Sequence, residues 1–97
     1  MMVLVTYDVA TTTPDGKRRL RRVAKTCLDF GQRVQNSVFE CLVDPAQWIE
    51  LKTKLLEIYN EDEDSLRFYQ LGSGWQRKVE HQGVKDVPDL QKDVLLI

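Results

Sequence analysis

The chain has 97 residues, 42% of them hydrophobic, and a formal net charge of -1, which suits a single domain with one modest core. No apolar run approaches the roughly 20 residues that span a bilayer. Met1 leads straight into Met2-Val3-Leu4-Val5 with neither a basic leader nor a small-residue cleavage site, so the expectation is a cytoplasmic protein.

Met2 to Val9 is apolar and β-branched and predicts a first strand. The loop Thr11-Thr12-Thr13-Pro14-Asp15-Gly16 leads into a helix with Thr13 as N-cap and Pro14 at the first position. That helix is expected to reach about Asp29. Leu20, Val23, Ala24, Cys27 and Leu28 form its apolar stripe, and Gly31 is expected to close it as a left-handed cap. From Arg33 to Val43 the pattern is too long for one strand. Gln35-Asn36-Ser37 interrupts it, which predicts a short strand, a tight connection or bulge, and a second strand through Val43. Asp44 caps a second helix with Pro45 at its first position, and Trp48, Leu51, Leu55, Ile58 and Tyr59 line its apolar side. Asn60 to Asp64 is an acidic turn. Ser65 to Leu71 is another strand, carrying Leu66, Phe68 and Tyr69.

The order is βαββαβ, the α+β ferredoxin-like pattern. Residues 1–71 are expected to form the core and residues 72–97 a tail used for strand exchange or partner contact. Gly72-Ser73-Gly74 breaks the pattern; a further short strand is expected near Lys78 to His81, and the chain ends on the apolar Val94-Leu95-Leu96-Ile97.

In this topology two helices cover one face of the sheet, and the other is polar in a monomer. Here both faces are apolar. Val3, Val5, Tyr7 and Val9 alternate with Met2, Leu4 and Thr6, while Val38 and Leu42 alternate with Phe39, Cys41 and Val43. A surface of that kind marks an interface, and a two-fold homodimer with facing sheets is the commonest solution.

Asp8, at the carboxyl end of the first strand, is the candidate for chemistry. A capping or turn aspartate stands beside that reading. One carboxylate makes a poor Mg2+ site, because the ion prefers octahedral oxygen coordination. A second copy of Asp8 from a dimer partner supplies the missing ligand, and the pair can hold a cation that orients a phosphodiester.

The first helix is the second candidate. Six of the nine residues from Lys17 to Lys25 are basic and none is acidic. Lys17, Arg18, Arg21, Arg22 and Lys25 lie off the apolar stripe. Without acidic neighbours they repel one another, and phosphate binding offsets that repulsion; a merely solvated face is the alternative. Glu61, Asp62, Glu63 and Asp64 form an opposing acidic run. Arg33 adds a further phosphate contact. Nothing resembles base readout, so binding is expected to be independent of sequence and sensitive to salt.

Other features read as structural. Cys27 and Cys41 lack metal-ligand spacing and read as buried hydrophobes. His81 has no partner for general-base work. Ser37 lies in no nucleophile motif, Gly72-Ser73-Gly74 is no phosphate loop, and Trp75, Arg77 and Lys78 read as a loop with one packing aromatic.

The strand Val5-Thr6-Tyr7-Asp8-Val9, the basic helix 17–25 and above all Gly31-Gln32-Arg33-Val34-Gln35-Asn36-Ser37-Val38-Phe39-Glu40-Cys41 resemble the smaller, ferredoxin-like CRISPR-associated adaptation protein family. Asp64-Ser65-Leu66-Arg67-Phe68-Tyr69 fits too, and the tail looks most like members from type I-C systems. The resemblance implies a homodimer with facing sheets and a tail that adds a strand across the interface. It implies Asp8 as a Mg2+ ligand near the two-fold axis, and metal-dependent endonuclease activity on single-stranded RNA or duplex DNA. It also implies a dimeric scaffold joining two dimers of a larger integrase around a duplex prespacer, with Arg18, Arg22 and Arg33 along the DNA path. A non-catalytic scaffold, a toxin-like ribonuclease and a metabolite-binding regulatory module are the competing functions; the arginine-rich helix argues against the last.

Overall fold

The computed structural model describes residues 1–72, 74–80 and 82. The elements are β1 (Met2–Asp8), α1 (Pro14–Leu28), β2 (Gly31–Gln35), β3 (Val38–Leu42), α2 (Pro45–Ile58) and β4 (Ser65–Gly72), followed by a 3-10 turn at Trp75–Arg77. The ferredoxin-like βαββαβ order expected from the pattern is present.

Both helix starts follow from their caps. Thr13 Oγ1 accepts the Gly16 N–H at 3.1 Å, with Pro14 opening the helix. Asp44 accepts the Gln47 N–H at 2.8 Å, and the Gln47 side chain accepts the Asp44 N–H at 2.9 Å, a reciprocal capping box.

The sheet order is β2-β3-β1-β4, with every neighbouring pair antiparallel. β1 is therefore central. Val5 stands opposite Phe39 on β3 and Phe68 on β4, so β1 delivers Val3, Val5 and Tyr7 to the middle of the core. They pack with Val23, Ala24 and Cys27 of α1, Phe39 and Cys41 of β3, and Leu51 and Leu55 of α2. Each large side chain buried this way contributes on the order of 1.5–3 kcal/mol. Trp48 of α2 meets Phe68 edge-on, with ring centroids 5.1 Å apart, which seats α2 over β4.

Three details differ from the expectation. Leu28, the last residue of α1, is exposed rather than part of the buried stripe and does not pack against the core cluster. Gly31 opens β2 instead of capping α1, whose C-cap is Asp29 in the right-handed region. A Cβ at Gly31 would sit 1.9 Å from the Glu40 carbonyl oxygen, so close backbone approach explains this glycine; the left-handed backbone is at Gly72, with φ of 77°. Lys78 to Glu80 carry no strand. The rest of the expected additional strand, His81 included, and the tail segment 83–97 lie outside the described residues.

The interruption at Gln35-Asn36-Ser37 is a two-residue turn with an irregular register between Arg33 and Gln35. The β1–β3 pairing extends past the turn, where the Tyr7 N–H donates to the Ser37 carbonyl at 2.9 Å.

Candidate functional site

Asp8 is the last residue of β1 and is exposed. Strand alternation puts it with Leu4 and Thr6 on the sheet face opposite Val3, Val5 and Tyr7, so it stands on the face that the two helices do not cover. Leu4, Thr6, Val38 and Leu42 are half-buried there. Glu40 is buried and accepts from Gln32 Nε2 at 3.3 Å. Among the described residues no group of three His, Cys, Asp or Glu side chains is placed to hold a metal ion.

The basic residues divide into two kinds. Lys17, Arg18, Arg21, Arg22 and Lys25 are exposed on α1. Arg18 makes an exposed ion pair with Asp15 at 3.2 Å, which contributes little in water. Lys17, Arg21, Arg22 and Lys25 form no ion pair among the described residues. From Lys17 to Lys25 they span about 12 Å of helix at 1.5 Å per residue, comparable to 3–4 base pairs of duplex.

Arg19 behaves differently. Its side chain is 13% exposed and turns towards the start of β4. Nε donates to Asp64 Oδ2 at 2.8 Å, and Nη2 donates to Asp64 Oδ1 at 3.1 Å and to Glu63 Oε2 at 3.0 Å. The Asp64 carboxylate is fully enclosed. It also accepts the Tyr7 hydroxyl and the Asn60 N–H at 2.9 Å. Burial alone raises a carboxyl pKa, but the hydrogen bonds from Arg19, Tyr7 and Asn60 outweigh it and hold Asp64 below its ordinary range. Burial, and then the hydrogen bond to Asp64, push the Tyr7 hydroxyl well above its ordinary value. Asp64 of the acidic turn thus supplies a buried partner for α1, while Glu61, Asp62 and Glu63 stay exposed.

Arg33 is half-buried on the helix-covered face. Its guanidinium lies 5.3 Å over the Phe39 ring, and its Nε is buried without a hydrogen-bond partner in the structure. It therefore sits on the α1 side of the sheet, away from the face that carries Asp8. The fold brings Arg33 and the basic helix to one side and Asp8 to the other.

Cys27 and Cys41 are free and buried, as expected. Cys41 Sγ lies 3.7 Å from the Cys27 carbonyl oxygen. The neighbouring Cys41 thiol, together with burial, pushes the Cys27 thiol far up, which leaves it unreactive at neutral pH. Lys78 Nζ donates to the Leu71 carbonyl at 2.8 Å, so the Trp75–Lys78 segment is a tied-down turn. Ser73 and His81 lie outside the described residues.

Sequence reasoning missed the Tyr7–Asp64–Arg19 cluster. A signal was present: Tyr7 falls on the core-facing register of β1, and a buried tyrosine hydroxyl needs an acceptor. Which of the four acids at 61–64 would serve was not readable from spacing.

Residues 1–79 match the family described as CRISPR associated protein Cas2. The chain is 62% identical over 96 residues to a protein of Chlorobaculum tepidum named CRISPR-associated endoribonuclease Cas2, covering 99% of this chain and 100% of the relative. It is 52% identical over 95 residues to a protein of Halalkalibacterium halodurans named CRISPR-associated endonuclease Cas2, covering 98% of this chain and 99% of the relative. The crystal structure of Streptococcus pyogenes Cas2 superposes with a TM-score of 0.79 at 63% identity, covering 86% of this chain and 100% of that one. The fold and these likenesses over nearly the whole chain agree: the chain belongs to the Cas2 family of CRISPR-associated proteins.

Proposed function

We propose that this chain is a dimeric CRISPR adaptation protein that binds duplex DNA across the outer face of α1 and cleaves phosphodiesters with a divalent cation held at Asp8. The observation that carries the cleavage reading is the position of Asp8: an exposed carboxylate at the end of the central strand, on the face that the helices leave free. The names of the relatives, endoribonuclease and endonuclease, support a nuclease. RNA and DNA both stay in view as substrates.

The donor chemistry suits Mg2+, which takes hard oxygen ligands and keeps several waters. One chain offers one such carboxylate among its described residues, so the site needs a second copy. The half-buried apolar face around Leu4, Val38 and Leu42 supports facing sheets, which bring two Asp8 side chains to one axis. A bound cation supplies Lewis-acid stabilisation of the phosphoryl oxygens. Asp8 holds that cation. Lys17, Arg18, Arg21 and Arg22 neutralise backbone phosphates, and Arg33 adds charge on the same side. A larger CRISPR adaptation integrase is the partner that the family resemblance indicates. No helix among the described residues is long and apolar enough to cross a membrane.

A non-catalytic scaffold is the second reading. It is favoured by the solvent-facing cations of α1, which need no carboxylate to bind DNA. The deciding experiment is Mg2+-dependent cleavage of labelled single-stranded RNA and duplex DNA by the wild type and Asp8→Ala, with sedimentation at micromolar concentration. Cleavage is expected for the dimeric wild type and a loss of at least hundredfold for the variant, which removes a metal ligand, with dimer and DNA binding retained. Equal cleavage by both removes Asp8 from the chemistry. A monomer removes the paired site.

A further inference from the structure

We infer that the Tyr7–Asp64–Arg19 network is a positioning device for Asp8. The inference rests on the reading of Asp8 as the cation-holding residue and extends it to three side chains that never reach the substrate.

The case begins with how β1 ends. The β1–β3 pairing stops at Thr6 opposite Val38, and the Tyr7 N–H adds one more bond to the Ser37 carbonyl. Asp8 is paired only on the other side, with Ser65, the first residue of β4. Beyond Asp8 the chain leaves the sheet. A terminal rung held from one side frays unless something anchors it. Where Asp8 sits therefore depends on where β4 begins.

Asp64 anchors that beginning. It directly precedes Ser65, and its carboxylate accepts four hydrogen bonds, from Tyr7 Oη, Arg19 Nε, Arg19 Nη2 and the Asn60 N–H. Tyr7 directly precedes Asp8. The Tyr7–Asp64 bond thus ties the residue before Asp8 to the residue before its ladder partner, and Arg19 ties both to α1. The side chains of Tyr7 and Asp8 leave the strand on opposite faces, so the network fixes the backbone of Asp8 without occupying its site. With three of these bonds on Oδ2, one on Oδ1 and the whole carboxylate enclosed, Asp64 is closed to a cation, although it directly precedes the ladder partner of Asp8. Arg19 is likewise spent and does not belong with the phosphate-binding cations of α1.

A core that needed only stability had a simpler option in phenylalanine at position 7 and an apolar side chain at 64. A buried ion pair is weak evidence for stability. What the charged network offers is a fixed distance, and a catalytic group displaced by about 1 Å can cost about a hundredfold in rate.

Tyr7→Phe keeps the ring and removes only the hydroxyl. It is to be compared with the wild type, Asp8→Ala and the double variant, below the melting transition of all four. The readouts are kcat and KM for cleavage of a labelled RNA and duplex DNA, and Mn2+-induced broadening of the Asp8 backbone amide. Tyr7→Phe is expected to lower kcat about tenfold with KM within about twofold, and to raise the Mn2+ midpoint severalfold. In the Asp8→Ala background Tyr7→Phe is expected to remove nothing further, since it acts through Asp8. If Asp8→Ala is inactive while Tyr7→Phe keeps wild-type kcat and Mn2+ midpoint, the positioning role is overturned and the Asp8 reading survives. An equal fractional loss in both backgrounds shows a merely structural role and also overturns it. If Asp8→Ala cuts like the wild type, or the wild type neither cuts nor shows broadening at Asp8, the reading of Asp8 falls and takes the inference with it.

Discussion

Two parts of the same helix use arginine in opposite ways. At Arg19 the guanidinium is drawn under the β1–β4 junction and paired twice with an enclosed carboxylate. One residue before it and two and three after it, Arg18, Arg21 and Arg22 stand in solvent. The contrast comes from the 3.6-residue turn: Arg19 borders the buried stripe of Val23, Ala24 and Cys27, while the others point off it. A run of like charge is therefore not one feature. It is a structural tie and a solvent-facing cationic surface sharing nine residues.

The largest expected effect tests the outer surface. Replacing Lys17, Arg21, Arg22 and Lys25 together by alanine is expected to weaken duplex DNA binding at least hundredfold at low salt. The slope of log affinity against log salt should fall by about 3 to 4, at roughly 0.9 for each phosphate no longer neutralised. The melting temperature should hold or rise, because mutual repulsion is relieved. Anisotropy titrations at several salt concentrations, with a thermal melt alongside, check this. A collapse of stability would show that the exposed cations are structural after all.

A smaller effect, of the opposite kind, is expected at the junction. Asp64→Asn removes the enclosed carboxylate that Arg19 binds twice and leaves its largely buried guanidinium only the exposed Glu63 as a charge partner. A drop in melting temperature of about 10 °C is expected. DNA affinity should be nearly unchanged at temperatures where the variant is folded. If DNA binding falls as far as stability, the two halves of the helix do not act independently.

The smallest effect is in pH. Asp64 is held below its ordinary value of 3.8 in the folded chain. A carboxyl depressed in the folded state stabilises above its unfolded pKa, and that contribution is lost as pH falls through the folded value. The urea midpoint is expected to be insensitive to Asp64 between pH 5 and 8 and to decline below about pH 4. Asp64→Asn should flatten the part of that decline due to this residue. Urea unfolding of both chains from pH 2.5 to 7 separates the cases; parallel acid limbs would show that Asp64 does not carry the linkage.

Much of the architecture was legible in the sequence. The helix starts at Pro14 and Pro45 were written in Thr13 and Asp44, because capping is a local interaction over three or four residues. The strand break at Gln35-Asn36-Ser37 and the face assignments of β1 and β3 followed from period-two alternation. The exposed cations of α1 and the strand-end position of Asp8 were readable for the same reason. Leu28 and Gly31 were misread because both depend on what other elements do nearby: Leu28, the last residue of α1, is left exposed by the rest of the fold, and the Glu40 carbonyl approaches Gly31 from β3.

Local pattern by itself determined the order of elements, the caps, the apolar faces and the family resemblance, since each is set by near neighbours in the chain. Tertiary structure alone decided which arginine turns inward, which of four consecutive acids receives it, and that Arg33 and Asp8 lie on opposite faces of the sheet. Arg19 and Asp64 are 45 positions apart. Only closure of the sheet, with β4 laid beside β1, brings them together, and only burial there turns two ordinary surface charges into a fixed joint.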